Sequence, residues 1–248
     1  MITVSIITKN EEKNIERCLK SISWANEIII IDSGSSDKTI DICKSYQCKI
    51  IHTDWLGFGL TKRVGVLHSK NDWILSLDAD EVVSTELANK IQEIILSSSD
   101  KCFRIKRNSF YLGKEIKYSG WQNDYPVRLF NKNFANFNEK KVHEKVVCSK
   151  SAAKVKLPIF HYTHTSIEQH LKKIDLYTSL GAQELLLDGK KVSFVYPFFS
   201  CAIKFIKVYI IRLGFMDGKE GLILSIFSSF YSFLKYIKLW ALIRNKNS

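Results

Sequence analysis

The stretch Trp73-Ile74-Leu75-Ser76-Leu77-Asp78-Ala79-Asp80-Glu81 decides how the rest of the chain is interpreted. Its apolar run predicts a buried strand, and two aspartates separated by one residue follow directly. In an extended segment Asp78 and Asp80 would lie on the same face, where their charges repel. A divalent cation, often one that already carries phosphates, relieves such repulsion. The alternative is a solvated acidic turn before a helix, where Asp and Glu are favoured.

Three earlier apolar runs predict further strands of the same sheet. They are Val4–Ile7, Ile28–Ile31 and Lys49–Ile51, and with Ile74–Leu77 they start 24, 21 and 25 residues apart. The segments between them carry apolar residues at helical spacing. Strands and helices that alternate at this interval predict right-handed βαβ units. We therefore expect an α/β fold with a mainly parallel, Rossmann-like sheet flanked by helices.

Polar residues collect after each predicted strand. These clusters are Thr8–Glu12, Asp32–Asp37, His52–Gly59 and Asp78–Glu81. In a parallel sheet the ligand crevice lies outside the carboxyl ends of the strands. Each cluster alone also fits a turn or a helix cap. All four together indicate one binding site at this edge of the sheet.

The positive charge of the chain is concentrated near its C-terminus. The formal net charge is +12, and ten Lys or Arg stand against two acids from Lys190 onward. The longest uncharged stretch there, Gly221–Leu234, has fourteen residues, fewer than the ~20 needed to span a bilayer. Lys204, Lys207 and Arg212 would share one arc of a helix, which predicts an interfacial amphipathic helix. A core-packed pair of terminal helices is the alternative.

The cysteines and the N-terminus favour a cytoplasmic location. The six cysteines include no Cys-x-x-Cys pair, and their spacing fits neither a zinc site nor a disulfide framework. The first residues lead straight into a strand pattern and lack the layout of a signal peptide. With the basic segment, this predicts a protein that lies peripherally on the inner face of the cytoplasmic membrane.

The order of these features resembles the family 2 glycosyltransferases, which have the nucleotide-sugar-binding GT-A fold. The motifs that carry the resemblance in the first 100 residues are Ser5–Glu12, Ile31–Thr39 and Leu77–Glu81. Later motifs look more narrowly like the lipopolysaccharide core-biosynthesis glucosyltransferases, namely Gly120–Phe130, Val142–Glu144 and Leu213–Gly218. One departure is Thr61-Lys62-Arg63, where those enzymes commonly carry Gln-Lys or Gln-Arg followed by Asn.

The resemblance implies a domain plan and a reaction. A GT-A domain would cover residues 1–188, with a nucleotide-sugar half at 1–100 and an acceptor half at 101–188. A basic amphipathic helical extension would cover residues 189–248. The enzyme would move a sugar, glucose, from a UDP-sugar to an inner-core acceptor of lipopolysaccharide or lipooligosaccharide. Transfer would be a metal-assisted single displacement that inverts the configuration of the sugar.

The resemblance also implies a nucleotide-sugar site at the strand ends. Its residues would be Thr8, Asn10, Glu11, Asp32, Lys62, Asp78 and Ala79. The first three would line the uridine pocket, and Asp32 would accept a hydrogen bond from the uracil ring N–H. Lys62 or Arg63 would meet the base or the diphosphate, and Asp78 would touch the ribose.

Metal binding and proton transfer are assigned to other residues. Asp80 would hold Mg2+ or Mn2+, which neutralises the diphosphate as it leaves. His143 and His161 are further candidate ligands, although a histidine between apolar neighbours is more often structural. Asp124 would be the base that takes the proton from the acceptor hydroxyl. Its alternative is a turn residue before Pro126.

Other functions leave different marks on a sequence. A nucleotidyltransferase would have a Gly-rich, Arg-containing loop after the first strand, whereas Thr8–Glu12 is acidic and has no glycine. A nonenzymatic basic module would bind nucleic acid through a polar basic stripe, but the C-terminal lysines alternate with aliphatic runs. We expect no nucleic-acid partner, and expect instead a lipid-anchored oligosaccharide acceptor and an anionic inner-membrane surface. A polyprenyl phosphate is the alternative acceptor.

Overall fold

The computed structural model describes residues 1–139 and 144–246. The strands are β1 (Ile2–Thr8), β2 (Glu27–Asp32), β3 (Lys49–His52), β4 (Trp73–Asp78), β5 (Glu81–Val83), β6 (Cys102–Tyr111), β7 (Lys114–Glu115), β8 (Val127–Asn131), β9 (Ala135–Phe137), β10 (Val146–Cys148) and β11 (Ala153–His164). The α-helices are α1 (Ile15–Ser21), α2 (Thr39–Ser45), α3 (Phe58–Leu67), α4 (Thr85–Ser97), α5 (Ile167–Leu187), α6 (Tyr196–Phe205) and α7 (Gly218–Lys246). A π-helical turn covers Ile206–Ile211, and a 3₁₀ turn covers Gly214–Asp217.

The chain forms two compact units. The first comprises Met1–Asn108 and Asp124–His161, and the second comprises Ser109–Asn123 and Tyr162–Ser248. The domain boundary predicted at residues 188/189 falls inside the second unit, and that assignment of function stays a prediction.

A sheet with strand order β3-β2-β1-β4-β8-β6-β11-β5 organises the first unit. Strands β3, β2, β1 and β4 are parallel, as the four apolar runs predicted. Strand β8 is antiparallel to β4 and β6, and β5 is antiparallel to β11. The α/β fold class is therefore confirmed, and the sheet is mixed. The described residues between 102 and 153 form strands and no α-helix that could serve as the crossover that parallel pairing needs.

Helices cover both faces of the parallel strands. On one face α1 and α4 bury Leu19 and Ile91 against β-strand residues such as Ile6. Fully burying each such side chain contributes about 1.5–3 kcal/mol. On the other face Gly65 of α3 packs so tightly that an added Cβ would lie 2.0 Å from the Ser5 hydroxyl. The helix can approach β1 this closely only because position 65 has no side chain.

The second unit is built around α7. Helices α5 and α6 both pack along it, and the 3₁₀ turn precedes it directly. Asp217, at the end of that turn, is buried and accepts hydrogen bonds from Lys117 N, Tyr118 N and the Ser119 hydroxyl. The Leu213–Gly218 motif therefore anchors the loop at residues 117–119.

The assumption that Lys204, Lys207 and Arg212 lie on one α-helix is wrong, and the predicted interfacial role of this segment stays a prediction. Helix α6 ends at Phe205, and the π-helical turn that follows has more residues per turn than an α-helix. Burial lowers the pKa of Lys204, and the charges of Arg212 and Lys207 lower it further, so the three cations still lie near one another. Arg212 lies beyond the turn, and its carbonyl accepts a hydrogen bond from Ser119 N.

The prediction that the C-terminal apolar stretch is too short to cross a bilayer is also wrong by length and composition. Within residues 1–139 and 144–246, one helical segment, Gly214–Lys246, is long and apolar enough to do so. The length of the uncharged stretch underestimates the length of the helix, because the helix continues through Lys235 and Lys238. Most residues of α7 are half-buried, because α5 and α6 pack along it.

A buried histidine in the second unit makes stability depend on pH. The Tyr111 hydroxyl lies 2.9 Å from His170 Nδ1, and the rings of His164 and Phe227 pack against His170. Burial, with a smaller effect of Lys173, lowers the pKa of His170 to about 4. The ordinary histidine value is about 6.5. Between these values the unfolded chain binds a proton at His170 that the folded protein does not bind.

We therefore expect the free energy of unfolding to fall as the pH drops from about 6.5 to about 4, by about 3 kcal/mol for this group. Urea unfolding at several pH values measures this. His170→Gln should flatten the slope in that window, whereas His68→Gln, at the exposed position directly after α3, should leave it unchanged. An equal slope in wild type and His170→Gln would contradict the prediction.

Candidate active site

The carboxyl ends of the parallel strands meet at one edge of the sheet. In the register, Thr8 pairs with Asp32, Asp32 with His52, and Ile7 with Asp78. The polar clusters predicted after the four strands therefore begin side by side. Two hydroxyls at this edge, Thr8 Oγ1 and Ser33 Oγ, are buried and have no hydrogen-bond partner among the described residues. Such groups are costly unless a ligand or water satisfies them.

The loop after β2 is shaped by Asp32 and Asn10. The buried Asp32 carboxylate accepts hydrogen bonds from Gly34 N at 3.1 Å and Ser35 N at 3.1 Å, and His52 Nδ1 lies 3.3 Å from Oδ2. Asn10 Oδ1 accepts from Ser36 N at 2.8 Å. The Ser35 hydroxyl donates to Asp32 Oδ1 at 2.5 Å. A carboxylate has about four acceptor positions, so these four donors already occupy it, and a ligand N–H would have to replace one of them.

Glu11 supports the start of α1. Its carbonyl accepts hydrogen bonds from the Asn14 and Ile15 backbone N–H groups, and Asn14 Nδ2 donates to its carboxylate at 2.8 Å. Its own N–H donates to the Thr39 hydroxyl at 2.8 Å. The residue therefore links the loop after β1 to the first turn of α2.

Asp78 and Asp80 do not lie in one extended strand, contrary to our expectation. Strand β4 ends at Asp78, and Ala79 and Asp80 form a turn before β5. Ala79 is buried in this turn. Asp78 contacts Lys62 and Arg128, and Asp80 lies near His161, so the same-face argument from an extended strand does not describe the two carboxylates.

Two buried cations hold the Asp78 carboxylate. Lys62 Nζ lies 2.9 Å from Oδ1, and the Arg128 guanidinium contacts Oδ2. Burial raises the pKa of Asp78, but Arg128 and Lys62 outweigh it and hold the pKa well below its usual range. Lys62 also contacts Glu144 at 2.7 Å and is itself buried. The neighbouring Arg63 pairs with Glu139 at 2.7 Å.

Glu81 is a buried carboxylate that binds its neighbours and is not an additional exposed charge. Its Oε2 accepts a hydrogen bond from Asp78 N at 3.0 Å, and its Oε1 contacts Arg128. Arg107 Nη1 lies 3.4 Å from the same oxygen. The attraction of Asp78 and Glu81 raises the pKa of Arg128 despite its burial, so the guanidinium stays charged.

Asp80 and His161 converge as a pair. His161 Nε2 lies 3.4 Å from Asp80 Oδ1, because β11 pairs with β5 in a register that sets His161 opposite Glu81. Both side chains are mostly buried. Among residues 1–139 and 144–246 no group of three or more His, Cys, Asp or Glu is arranged to hold a metal. His143, the other candidate ligand, lies outside the described residues.

Asp124 is linked to this cluster through Arg107. Arg107 Nε and Nη2 lie 2.7 and 2.6 Å from Asp124 Oδ2, and the Arg107 N–H donates to the Asp124 carbonyl at 2.9 Å. A continuous series of ion pairs results, in the order Glu144, Lys62, Asp78, Arg128, Glu81, Arg107 and Asp124.

Sequence reasoning missed the three residues that complete this series, namely Arg107, Arg128 and Glu144. They lie far from the acidic motif in the chain. The Gly120–Phe130 and Val142–Glu144 motifs contained Arg128 and Glu144, which was the available signal. Arg107 on β6 carried none.

Comparison with known proteins agrees with this geometry. The profile of Glycosyl transferase family 2 matches residues 3–153. An uncharacterized glycosyltransferase of Rickettsia typhi is 34% identical over 251 residues, which cover 96% of this chain and 86% of the relative. The lipopolysaccharide core biosynthesis glycosyltransferase LpsC of Rhizobium meliloti is 24% identical over 247 residues, covering 96% and 92%.

Solved structures share the fold. S. aureus TarS 1-349 in complex with UDP superposes with a TM-score of 0.50 at 17% identity, covering 99% of this chain and 91% of that chain. Glucosyl-3-phosphoglycerate synthase from Mycobacterium tuberculosis, in complex with Mn2+, UDP and glucosyl-3-phosphoglycerate, gives 0.50 at 15% identity, covering 78% and 81%. The sheet is thus that of the GT-A glycosyltransferases. From its profile match and its relatives, the chain belongs to glycosyl transferase family 2.

Proposed function

We propose that the protein is an inverting glycosyltransferase that moves glucose from UDP-glucose to an inner-core sugar of lipopolysaccharide or lipooligosaccharide. The observation that carries the proposal is the edge of the sheet where Thr8, Asp32 and Asp78 end adjacent strands. Unpartnered buried hydroxyls meet carboxylates there, an arrangement suited to a polar ligand such as a nucleotide.

The nucleotide site is supported by what each side chain still has to offer. Asp32 would accept the uracil ring N–H in exchange for one of its present donors, such as His52, while Asn10 and Glu11 hold the loops that would surround the uridine. Thr8 Oγ1 has no hydrogen-bond partner among the described residues, so it could bind a ligand. Lys62 is occupied by Asp78 and Glu144, so its contribution is to fix Asp78 and Ala79 for the ribose side.

The donor set at Asp80 and His161 fits a divalent metal. A carboxylate oxygen and an imidazole nitrogen 3.4 Å apart are ligands that Mn2+ accepts readily, and Mg2+ prefers the oxygen. The diphosphate and water would complete the shell. When bound, the ion would neutralise the negative charge of the departing nucleoside diphosphate. Asp80 would hold it, with His161 as the second protein ligand.

Proton transfer and stereochemistry follow from Asp124. Its carboxylate would take the proton of the acceptor hydroxyl while that oxygen forms a bond to the anomeric carbon. The bond from that carbon to the diphosphate oxygen breaks in the same step, and UDP leaves with the electron pair. A single in-line displacement of this kind inverts the configuration of the sugar.

The acceptor assignment rests on the relative LpsC, whose name places it in lipopolysaccharide core biosynthesis. A polyprenyl phosphate remains the alternative, since both acceptors are anchored in lipid. The acidic loop after β1 disfavours a nucleotidyltransferase. The lysines that alternate with aliphatic runs disfavour nucleic-acid binding. Both functions are therefore less well supported than sugar transfer.

A donor and acceptor screen tests this function. Purified protein with Mg2+ or Mn2+ is given a panel of nucleotide sugars, and release of the nucleoside diphosphate is measured. We expect UDP release from UDP-glucose, stimulated by core oligosaccharide and not by polyprenyl phosphate. Activity only with a sugar on another nucleotide, or none with any donor, would contradict the proposal. If only polyprenyl phosphate stimulated UDP release, the acceptor would be a polyprenyl phosphate and not a lipopolysaccharide core.

We also propose that the protein works on the cytoplasmic, inner face of the membrane. The segment from 194 to 216, which we name the apolar face, exposes large apolar side chains: Phe194, Val195, Tyr196, Phe198, Phe199, Ile203, Ile206, Ile210, Ile211, Leu213, Phe215 and Met216. Exposed lysines flank it at positions 190, 191 and 219, and the exposed Lys207 lies within it. Apolar insertion combined with attraction to anionic headgroups is how peripheral helices bind membranes.

The full-length protein is therefore expected to sediment with vesicles that contain phosphatidylglycerol, and high salt should release it only in part. Phe198→Ser with Phe199→Ser should weaken binding at least tenfold, because about 1.5–3 kcal/mol is lost per phenylalanine. Leu96→Ser, at an exposed leucine on α4, is the matched control. Wild-type protein that stays in the supernatant at low salt would contradict the membrane proposal.

A further inference from the structure

We infer that Arg107 is the positioning residue of the transfer reaction, and that it aims one oxygen of Asp124 at the acceptor hydroxyl. The inference rests on the proposed function, because it assigns a partner to the base of that reaction. It concerns a residue for which the sequence carried no signal. Its evidence is the geometry of the Arg107, Asp124 and Glu81 side chains.

Arg107 binds only one side of the Asp124 carboxylate. Its Nε and Nη2 both contact Oδ2, at 2.7 and 2.6 Å. Within the described part of the chain Oδ1 has no hydrogen-bond partner, and the side chain is 36% exposed. One oxygen is thus anchored and the other is open to an incoming hydroxyl. A guanidinium, with its planar set of donors, restricts the rotation of the carboxylate.

The backbone reinforces the same orientation. The N–H group of Arg107 donates to the Asp124 carbonyl at 2.9 Å, so β6 fixes the main chain at position 124 as well as the side chain. Lysine at position 107 would keep the charge but would not hold the carboxylate at two points.

Arg107 is itself held by Glu81. Its Nη1 lies 3.4 Å from Glu81 Oε1, and Glu81 is completely buried and bound by Arg128. Although burial lowers the pKa of Arg107, Glu81 and Asp124 raise it above its ordinary value, so the side chain stays charged. A base oriented by a second group that a third group holds is the usual architecture of activated catalytic residues.

Glu81 therefore connects both halves of the chemistry. It follows Asp80 directly in the chain, and it reaches Asp124 through a single guanidinium. The Asp124 carboxylate is thereby held at a fixed position relative to the acidic turn that precedes β5. A displacement of about 1 Å at a reacting group costs up to about 10²-fold in rate, which gives this linkage a measurable consequence.

A double-mutant cycle between Arg107 and Asp124 tests the inference. The full-length variants are Arg107→Met, Asp124→Asn and the two combined. Arg104→Met is the matched control, since Arg104 is exposed on the same strand β6. The measurements are kcat of transfer to the acceptor and the UDP Kd by calorimetry with Mn2+.

We expect Arg107→Met to lower kcat about 10- to 100-fold and to leave the UDP Kd within about twofold. In the Asp124→Asn background the same change should cause no further loss, because the two residues act as a unit. Arg107→Lys should give an intermediate kcat, and Arg104→Met should match wild type.

Three results would overturn the inference. One is an equal loss of kcat from Arg107→Met in both backgrounds. The second is a fall in UDP affinity, which would make Arg107 a donor contact. The third is wild-type kcat in Arg107→Lys, a variant that keeps the charge beside Glu81 and so tests the inference even if Arg107→Met fails to fold. A wild-type protein that transfers no sugar would contradict the proposed function instead. If the wild-type protein is active but the losses of kcat from the Arg107 and Asp124 substitutions are additive, only the positioning role is contradicted.

Discussion

Replacing Asp80 by asparagine is expected to lower sugar transfer by orders of magnitude while the fold is retained. The substitution keeps the shape of the side chain but removes a negative oxygen, the ligand type that hard divalent cations require. Asp80 lies 3.4 Å from His161, and the substitution leaves Asp78 and Glu81 with the Arg128 guanidinium that they share. The loss should therefore be chemical rather than structural.

The measurements are transfer and donor hydrolysis, the apparent affinity for Mn2+, and circular dichroism. Asp72→Asn is a matched control, because Asp72 is exposed immediately before β4, at the other end of the strand from the acidic turn. Wild-type activity in Asp80→Asn, or wild-type activity that EDTA does not reduce, would contradict a metal role for Asp80.

Replacing Asp124 by asparagine is expected to lower transfer by roughly 10²–10⁴, the usual range for a lost general base. Asparagine cannot accept the proton of the acceptor hydroxyl at neutral pH. Donor binding should hardly change, because Asp78 and Glu81 keep their own partners. Arg107 would keep its contact with Glu81, which lies behind it.

Calorimetric titration with UDP-glucose separates this effect from a loss of binding. Asp100→Asn, at an exposed position before β6, serves as the matched control. If donor affinity collapsed together with the rate, Asp124 would belong to the nucleotide pocket and not to the acceptor chemistry.

These two experiments probe residues that the sequence had already singled out, and this reflects how local the relevant patterns are. Strand β2 was predicted from Ile28–Ile31 and extends over Glu27–Asp32. Runs of β-branched residues bounded by turn signals determine a buried parallel strand without reference to distant residues. Once the strand is known, the location of Asp32 at its carboxyl end follows.

Errors arose where distant residues decide the outcome. The C-terminal region was judged by its uncharged stretch, yet α7 continues through Lys235 and Lys238 to Lys246. Lys238 can be tolerated there because it pairs with Asp175 at 2.7 Å, a residue of α5. The sequence pattern near Lys238 contains no trace of that partner.

The sequence by itself determined the parallel strands, the edge of the sheet where polar residues gather, and the family. What only the tertiary structure decided is which charges meet. Asp78 is neutralised by Lys62 and Arg128, Asp80 is matched with His161, and Asp124 is bound through Arg107. Hydrophobic periodicity is a property of neighbouring residues in the chain, whereas an ion pair depends on distances between residues that only folding brings together.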